Sequence, residues 1–310
     1  RAKLLELAFA AEVPSLYGGD DIFGFNRTTT AVPRDDEVTD WGFGNVILDF
    51  EKLLSTGLDG IKAEAEAELT DATGEERDFL CGVIKSLAAC DGIIERQRVR
   101  AEIDGRKGLA AALGQVPKRG ARSYYEALLT VKFMVYALRL NRNVHTPLGR
   151  FDQYMKPYYE LSKNVGATDE EIKELTELFF ISLNFDTDIY LGVQTGDNGQ
   201  SMVLGGMTPD GEDGANALTE ICLAASEELK LIDPKINLRV NERTPLSVYE
   251  RGTRLTKQGL GFPQYMNDDV VIPALTAWGY DERDARNYAV AACWEFIIDR
   301  KSTRLNSSHE

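Results

Sequence analysis

The sequence predicts an α/β fold, because segments with helical spacing alternate with short strand-like segments along the chain. Charged amphipathic stretches at 49–69 and 75–113, both interrupted by glycines, have the length and spacing of helices, as does a nearly all-apolar stretch at 123–140. Short apolar runs suited to strands lie at 188–193, 201–206, 236–240, 262–266 and 288–298. Strands separated by helices favour parallel pairing, so we expect a closed, largely parallel sheet.

Two helix starts can be read from local chemistry. Thr168 followed by Glu171 fits a capping box, in which each side chain satisfies a backbone N–H of the first turn, and predicts a helix to about Leu183. Thr244 followed by Pro245 predicts a second start, with Thr244 as cap and an end near Gly259.

Composition narrows the class of protein. The chain has 310 residues and a net charge of −15, which disfavours nucleic acid and anionic membranes as partners. Its four cysteines form no C-x-x-C pair, and no signal peptide or membrane-spanning run is present, so we expect a reduced cytoplasmic location. Histidine occurs only at His145 and His309, and we expect no bound metal.

The apolar run 288–298 contains one thiol, Cys293, and one carboxylate, Glu295. If the run is one buried strand, residues two apart share a face and lie roughly 6.5–7 Å apart. A buried carboxylate costs several kcal/mol unless it is paired or protonated, so Glu295 is either a base whose pKa is raised or half of a buried salt bridge. Cys293 is either a reactive thiol in the same pocket or a small inert core residue.

Several short segments occur in an order that resembles the glycyl radical enzymes, the family that includes pyruvate formate-lyase. The matching segments are G-R-F-D-Q-Y at 149–154, L-G-G with D-G at 204–211, P-Q-Y-M-N-D at 263–268, D-A-R-N-Y-A at 284–289 and A-C-W-E at 292–295. The last resembles the family's G-C-x-E loop, with Ala292 in place of the glycine. The resemblance runs from about residue 21 to residue 298.

The resemblance implies a fold and a chemistry. The family fold is a ten-stranded α/β barrel surrounded by helices, of which this chain would form an incomplete part. Cys293 would become a thiyl radical that takes a hydrogen atom from a small substrate, and Glu295 would act as the base. The glycyl radical would lie on a downstream loop that this sequence lacks, so the chain alone would be inactive. A separate radical-SAM activase would install that radical, and the chain itself would bind no cofactor.

The same resemblance suggests residues that line the substrate cavity. They are Asn45, His145, Arg150, Gln200 and Asn267. Structural roles are the alternative for these positions, since turns and strand ends favour Asn and neighbouring glycines for backbone reasons. Diol-dehydrating members often carry a histidine in the stretch 41–45, where this chain has Phe43 and Asn45, which disfavours a polyol substrate.

The resemblance favours a lyase or dehydratase with a small-molecule substrate, an activase partner and a homodimeric state. The nearest alternative is formate C-acetyltransferase chemistry, which uses two adjacent cysteines, and Ala292 replaces the first of them. The alternative from another class is a non-catalytic α/β scaffold that binds a small molecule.

The two ends of the chain set the expected domain limits. Residues 1–298 are expected to form one barrel domain that is truncated at both ends. Residues 299–310 break sharply from the apolar run and, read back through the genetic code, resemble a sequencing-library adapter. We therefore expect them to be a non-native tail.

Overall fold

The computed structural model describes residues 2–17, 23–28, 44–140, 143, 145–185, 198–291 and 295–298. These residues divide into two compact units. The first comprises 1–42 and 49–143, and the second comprises 43–48 and 144–310. Among the described residues, the first unit contains helices and one two-stranded sheet, and the second contains helices, a four-stranded sheet and a two-stranded sheet. The predicted strand at 188–193 and the tail at 299–310 lie outside the described residues.

The first unit is mainly helical. Its elements are α1 (Ala2–Ala11), β1 (Ser15–Leu16), β2 (Phe25–Asn26), α2 (Phe50–Glu68), α3 (Gly74–Ile103), α4 (Lys107–Leu113) and α5 (Tyr124–Leu140). Strands β1 and β2 pair antiparallel. The prediction of a buried helix near 123–140 is confirmed, because most side chains of α5 are buried. The glycine-interrupted helical stretch predicted at 75–113 forms two helices, α3 and α4, which are separated at Gly105 with φ +75°.

Helix α2 bends at a glycine. Asp49 caps its first turn by accepting a hydrogen bond from the Lys52 N–H at 3.0 Å. Gly57 interrupts the helix with φ 70° and ψ 178°, a conformation that is essentially restricted to glycine. A Cβ at this position would lie 2.3 Å from the Lys118 carbonyl oxygen, so the close approach of the two segments also requires glycine.

The second unit alternates strands and helices. Its elements are β3 (Gly149–Arg150), α6 (Phe151–Asn164), α7 (Asp169–Leu183), β4 (Ser201–Gly205), α8 (Ala217–Leu229), β5 (Lys235–Val240), α9 (Leu246–Thr256), β6 (Gln264–Asn267), α10 (Asp268–Ala277), α11 (Glu282–Arg286), β7 (Ala289–Ala291) and β8 (Glu295–Ile297). Strands β3 to β6 form a parallel sheet in chain order. The α/β class and the predicted strands near 201–206, 236–240 and 262–266 are thus confirmed.

The register of this sheet defines its two faces. Arg150 pairs with Val203, Val203 with Asn237, and Asn237 with Gln264, so these four residues form one row across the sheet. Paired residues of adjacent strands point to the same face. Val203 packs in a cluster with Val290 of β7, so this row lies on the face that the last two strands cover.

The predicted helix starts have different outcomes. The capping box of α7 is confirmed, since Thr168 accepts from the Glu171 N–H at 3.2 Å and Glu171 accepts from the Thr168 N–H at 2.7 Å. Helix α9 does begin after Pro245, but Thr244 does not cap it. The Thr244 hydroxyl instead accepts from the Asn241 N–H at 2.9 Å, because the preceding turn brings that donor closer.

The prediction of one strand over 288–298 is wrong. Strands β7 and β8 pair antiparallel, with Ala291 opposite Glu295, so the segment is a hairpin. The three residues that join them, 292–294, lie outside the described residues. Strand β8 is an edge strand whose first two residues are exposed. The reversal of the chain explains why a run of uniform apolar character does not form one buried strand.

Candidate functional site

A fully buried ion pair lies at the carboxyl ends of β5 and β6. Arg239 donates from Nε to Asp268 Oδ1 at 2.9 Å and from Nη2 to Asp268 Oδ2 at 2.8 Å, a bidentate geometry. Both side chains are 0% exposed. Asp268 also accepts from the Met207 N–H at 2.6 Å. A buried charge is tolerated when it is paired and hydrogen-bonded in this way.

The same pair holds the residue that precedes the hairpin. The Tyr288 hydroxyl donates to Asp268 Oδ1 at 2.8 Å, and the Tyr288 carbonyl oxygen accepts from Arg239 Nη1 at 2.8 Å. The Arg239 guanidinium carbon also lies 3.8 Å from the centre of the Tyr288 ring. Burial, the largest effect, raises the pKa of Tyr288 far above its usual value, so its hydroxyl remains a donor at neutral pH.

A second buried arginine, Arg150, also binds the backbone that precedes the hairpin. Arg150 donates to the carbonyl oxygens of Gly205 at 3.1 Å, Met207 at 2.8 Å and Arg286 at 3.3 Å. Arg239 donates to the same Arg286 oxygen at 2.9 Å. Burial and then the nearby Arg239 charge lower the pKa of Arg150 to about 9, which leaves it protonated at neutral pH.

A buried carboxylate lies beside this arginine. Asp152 is 0% exposed and accepts from the Gly205 N–H at 2.7 Å, the Thr219 hydroxyl at 2.5 Å and Gln153 Nε2 at 2.9 Å. Burial raises its pKa more strongly than these hydrogen bonds lower it. Arg150 and Asp152, both within the predicted G-R-F-D-Q-Y segment, therefore fix strand ends and turns.

The hairpin packs on the sheet through an apolar cluster. Val290 and Tyr288 lie in one buried group with Val203 of β4 and Met266 of β6. Phe296 of β8 contacts the Tyr288 ring edge to face, with 5.3 Å between ring centres. The strands on either side of residues 292–294 are therefore anchored both by apolar packing and by the buried polar network.

The two predicted catalytic residues have separate outcomes. Cys293 lies outside the described residues, so its predicted role stays a prediction. Glu295 is exposed, so the expectation that its carboxylate is buried in this chain is wrong. The physical reason is its position at the start of an edge strand, where no described element covers it. Its predicted role as a base is not tested by this position.

Three predicted substrate-binding residues lie near the amino ends of β3 and β4. The Asn45 N–H donates to the His145 carbonyl oxygen at 3.0 Å, and both residues have positive φ, 59° and 54°. The His145 ring fills the space beside Gly199, where a Cβ would lie 2.8 Å from Cγ. Gln200 donates from Nε2 to the Leu183 carbonyl oxygen at 3.3 Å, so its side chain contacts the end of α7.

The other two predicted binding residues lie at the opposite ends of the strands. Asn267 is exposed, and its side chain caps α10 by accepting from the Asp269 N–H at 3.0 Å. Arg150 holds the carbonyls that follow β4. Because β4 is five residues long, about 13 Å separates its two ends. The structure therefore does not bring the five residues together, and their substrate-binding role stays a prediction.

A structural role is expected for Asp268 from its place in the P-Q-Y-M-N-D segment, but the sequence alone does not indicate that it forms a network with Arg239 and Tyr288. A signal was present, since Arg239 is the charged residue inside the apolar run 236–240, and a charge inside a buried strand requires a partner. The remaining cysteines, Cys81, Cys90 and Cys222, lie on helices α3 and α8, as expected for packing residues, and burial raises the pKa of Cys90 to about 12.

Within the described part of the chain, no group of three or more His, Cys, Asp or Glu side chains is arranged to hold a metal ion. Among the same residues, no helix combines the length and the apolar character needed to cross a bilayer.

Solved structures establish the class of protein that this fold defines. A structure of 1,2-propanediol dehydration in Roseburia inulinivorans superposes with a TM-score of 0.76 and 29% identity, covering 83% of this chain and 35% of that one. The glycerol-bound B12-independent glycerol dehydratase from Clostridium butyricum gives a TM-score of 0.73 and 30% identity, covering 81% and 35%. The parallel sheet is thus part of a glycyl radical enzyme barrel, as the sequence predicted.

The family follows from the sequence match. The family described as pyruvate formate lyase-like matches residues 34–307, so the chain belongs to this family of glycyl radical enzymes. A curated relative, the isethionate sulfite-lyase of Desulfovibrio desulfuricans, is 29% identical over 282 residues, which cover 82% of this chain and 34% of the relative. The chain therefore spans about a third of the length of the curated relatives that it matches.

Proposed function

We propose that the chain is part of a glycyl radical lyase or dehydratase that acts on a small hydroxylated substrate. The observation that carries the proposal is the family match over residues 34–307, which includes the β7–β8 hairpin, together with relatives named as a sulfite-lyase and a dehydratase. We propose this activity for a longer protein of which this chain is a part, together with a small-molecule substrate and a separate activating enzyme.

In the proposed reaction, Cys293 removes a hydrogen atom from the substrate and later returns one to the product. The glycyl radical takes the hydrogen atom from the Cys293 thiol, and the resulting thiyl radical takes a hydrogen atom from a substrate carbon. Glu295 accepts the proton of a neighbouring hydroxyl while the leaving group departs from the adjacent carbon with its bonding electron pair. The product radical then takes the hydrogen atom back from Cys293, and the thiyl radical regenerates the glycyl radical.

The proposal places a condition on Glu295. A general base must lie inside the enclosed site, within hydrogen-bond reach of the hydroxyl whose proton it accepts. Glu295 is exposed in this chain, so other segments of the complete protein would have to cover it. The relatives are about three times as long as the matched segment, which leaves enough chain for that cover.

The substrate class is proposed from the relatives. Isethionate, glycerol and 1,2-propanediol are small molecules with a hydroxyl group next to a second functional carbon. We propose a substrate of this kind, with isethionate favoured over the two polyols because this chain has Phe43 and Asn45 where diol-dehydrating members often carry a histidine. It would be held in the barrel interior, where water and oxygen are excluded from radical intermediates. A radical-SAM activase would install the glycyl radical, and a cytoplasmic location would suit this oxygen-sensitive chemistry.

The test uses the complete protein, produced without oxygen together with a radical-SAM activase. Electron paramagnetic resonance should show a glycine-centred doublet, and one of isethionate, glycerol or 1,2-propanediol should be consumed. Cys293→Ser should abolish turnover while the doublet remains. The control Cys81→Ser changes a half-buried helical thiol and should leave turnover unchanged.

A second variant separates the lyase from acyl transfer. Glu295→Gln should lower kcat at least about a hundredfold if Glu295 is the base, because general base catalysis contributes 10²–10⁴ in rate. Formate C-acetyltransferase activity that survives Glu295→Gln would support the alternative chemistry instead. A complete protein that forms no radical in the presence of the activase would support the non-catalytic binding scaffold.

A further inference from the structure

We propose that Arg239, Asp268 and Tyr288 form a positioning network that fixes the start of β7 for radical transfer. The proposal rests on the function proposed above and concerns how the protein holds its hairpin in register. None of these residues is placed in contact with substrate. They act through the backbone of the segment that leads into the hairpin.

Arg239 joins three separate parts of the second unit. It lies on β5, pairs with Asp268 at the start of α10, and donates to the carbonyl oxygens of Arg286 at 2.9 Å and Tyr288 at 2.8 Å. Four hydrogen bonds thus come from one guanidinium, which has five N–H donors in a fixed plane. A lysine at this position could not reproduce that geometry.

Tyr288 is held through both its backbone and its side chain. Its carbonyl oxygen binds Arg239, its hydroxyl binds Asp268, and its ring lies under the guanidinium at 3.8 Å. Ala289, the next residue, begins β7. A strand that slips by one residue turns every side chain to the opposite face, so a fixed Tyr288 determines which face each side chain of β7 occupies.

A glycine at position 206 leaves room for the side chains of Arg239 and Asp268. Gly206 has φ +77°, and a Cβ there would lie 2.5 Å from Arg239 Nε and 2.8 Å from Asp268 Oδ2. Arg150 adds a further bond to the Arg286 carbonyl oxygen at 3.3 Å. Hydrogen-atom transfer requires reacting atoms in a narrow range of distance, and a displacement of about 1 Å can lower a rate about a hundredfold.

The first test compares two matched tyrosine variants in the complete, activated protein. Tyr288→Phe removes the hydroxyl that donates to Asp268 at 2.8 Å. Tyr136→Phe removes another buried hydroxyl that donates to a carboxylate, Glu12, at 3.0 Å. We expect Tyr288→Phe to lower kcat at least about tenfold, with KM within twofold and an unchanged glycyl doublet. Tyr136→Phe should leave kcat unchanged.

The second test measures hydrogen exchange of the β7 amides. Tyr288→Phe should accelerate exchange at 289–291, Arg239→Lys should accelerate it further, and Tyr136→Phe should not. Normal kcat in Tyr288→Phe, an equal loss in Tyr136→Phe, or unaltered exchange in β7 would each overturn the proposal. Absence of a glycyl radical in the unmodified protein would contradict the proposed function instead, and the exchange rates would still show whether the network holds β7.

Discussion

Arg239 and Tyr288 contact each other twice, through the guanidinium that lies 3.8 Å above the ring and through the hydrogen bond to the Tyr288 carbonyl oxygen at 2.8 Å. The first contact fixes the side chain of Tyr288, and the second fixes its backbone. This restraint lies directly before the hairpin that carries the predicted reactive cysteine.

Loss of Asp268 should destabilise the protein strongly. Asp268→Asn leaves the Arg239 charge buried without its counter-charge, and removal of one partner of a buried ion pair costs about 3–5 kcal/mol. Urea denaturation would measure the free energy of unfolding. Asp210→Asn breaks an exposed ion pair with Arg283 and serves as the control, for which we expect no measurable change. Equal losses in the two variants would contradict this prediction.

Asp152 should make stability fall as pH rises. Its pKa is raised above the ordinary value of 3.8 by burial, so the folded state retains a proton that the unfolded state has released. The stability associated with this proton is complete below pH 3.8 and is lost as pH rises through the folded pKa. Asp152→Asn should remove this decline, which unfolding experiments across that pH range would detect.

Asp169 provides a control of opposite sign. Hydrogen bonds from Lys163 and Tyr159 lower its pKa, so its contribution is present above pH 3.8 and is lost as pH falls through the folded pKa. Asp169→Asn should therefore change the slope of stability against pH in the opposite direction. A common direction for both variants would show that the assigned causes are wrong.

Gly57→Ala should be among the most damaging single changes in the first unit. Its new Cβ would meet the Lys118 carbonyl oxygen at 2.3 Å, and its φ and ψ suit only glycine, so we expect a loss of more than about 3 kcal/mol in unfolding free energy. Gly74→Ala is the control, because Gly74 has φ +55° but open space around it, and should cost about 1–2 kcal/mol. Thermal and urea unfolding would separate the two.

Thr168→Ala should weaken α7 through its cap. The variant removes the hydroxyl that accepts from the Glu171 N–H, a loss of about 1 kcal/mol. Thr73 occupies the corresponding position before α3 but makes no side-chain cap bond. Thr73→Ala should therefore change the unfolding free energy by about 0.5 kcal/mol or less. Similar losses at both positions would show that the hydroxyl bond is not the cause.

Local patterns predicted the helices and central strands well, because each depends on neighbours in the chain. The capping box at Thr168 and the all-apolar α5 are examples. The sequence does not predict the hairpin, because residues 292–294 include neither a glycine nor an asparagine and a short apolar run does not reveal a reversal.

The site was predicted less well, because the residues that contact each other there are far apart in the sequence. Arg239 and Asp268 are 29 residues apart, and Arg150 and Arg286 are 136 residues apart, so no local pattern reveals these contacts. The resemblance to family segments predicts the five binding residues, and such segments do not show which side chains meet in space. The structure divides them between the two ends of the strands, where most hold backbone groups.

The chain order of the parallel sheet bears on how the protein is made. Each of β4, β5 and β6 adds beside the strand that precedes it in the sequence, and none has to insert between two earlier strands. A nascent polypeptide leaving the ribosome can therefore assemble this sheet one strand at a time. Arg239 and Asp268 also precede Tyr288 in the chain, so both partners of the hairpin's anchor are synthesised before the hairpin itself.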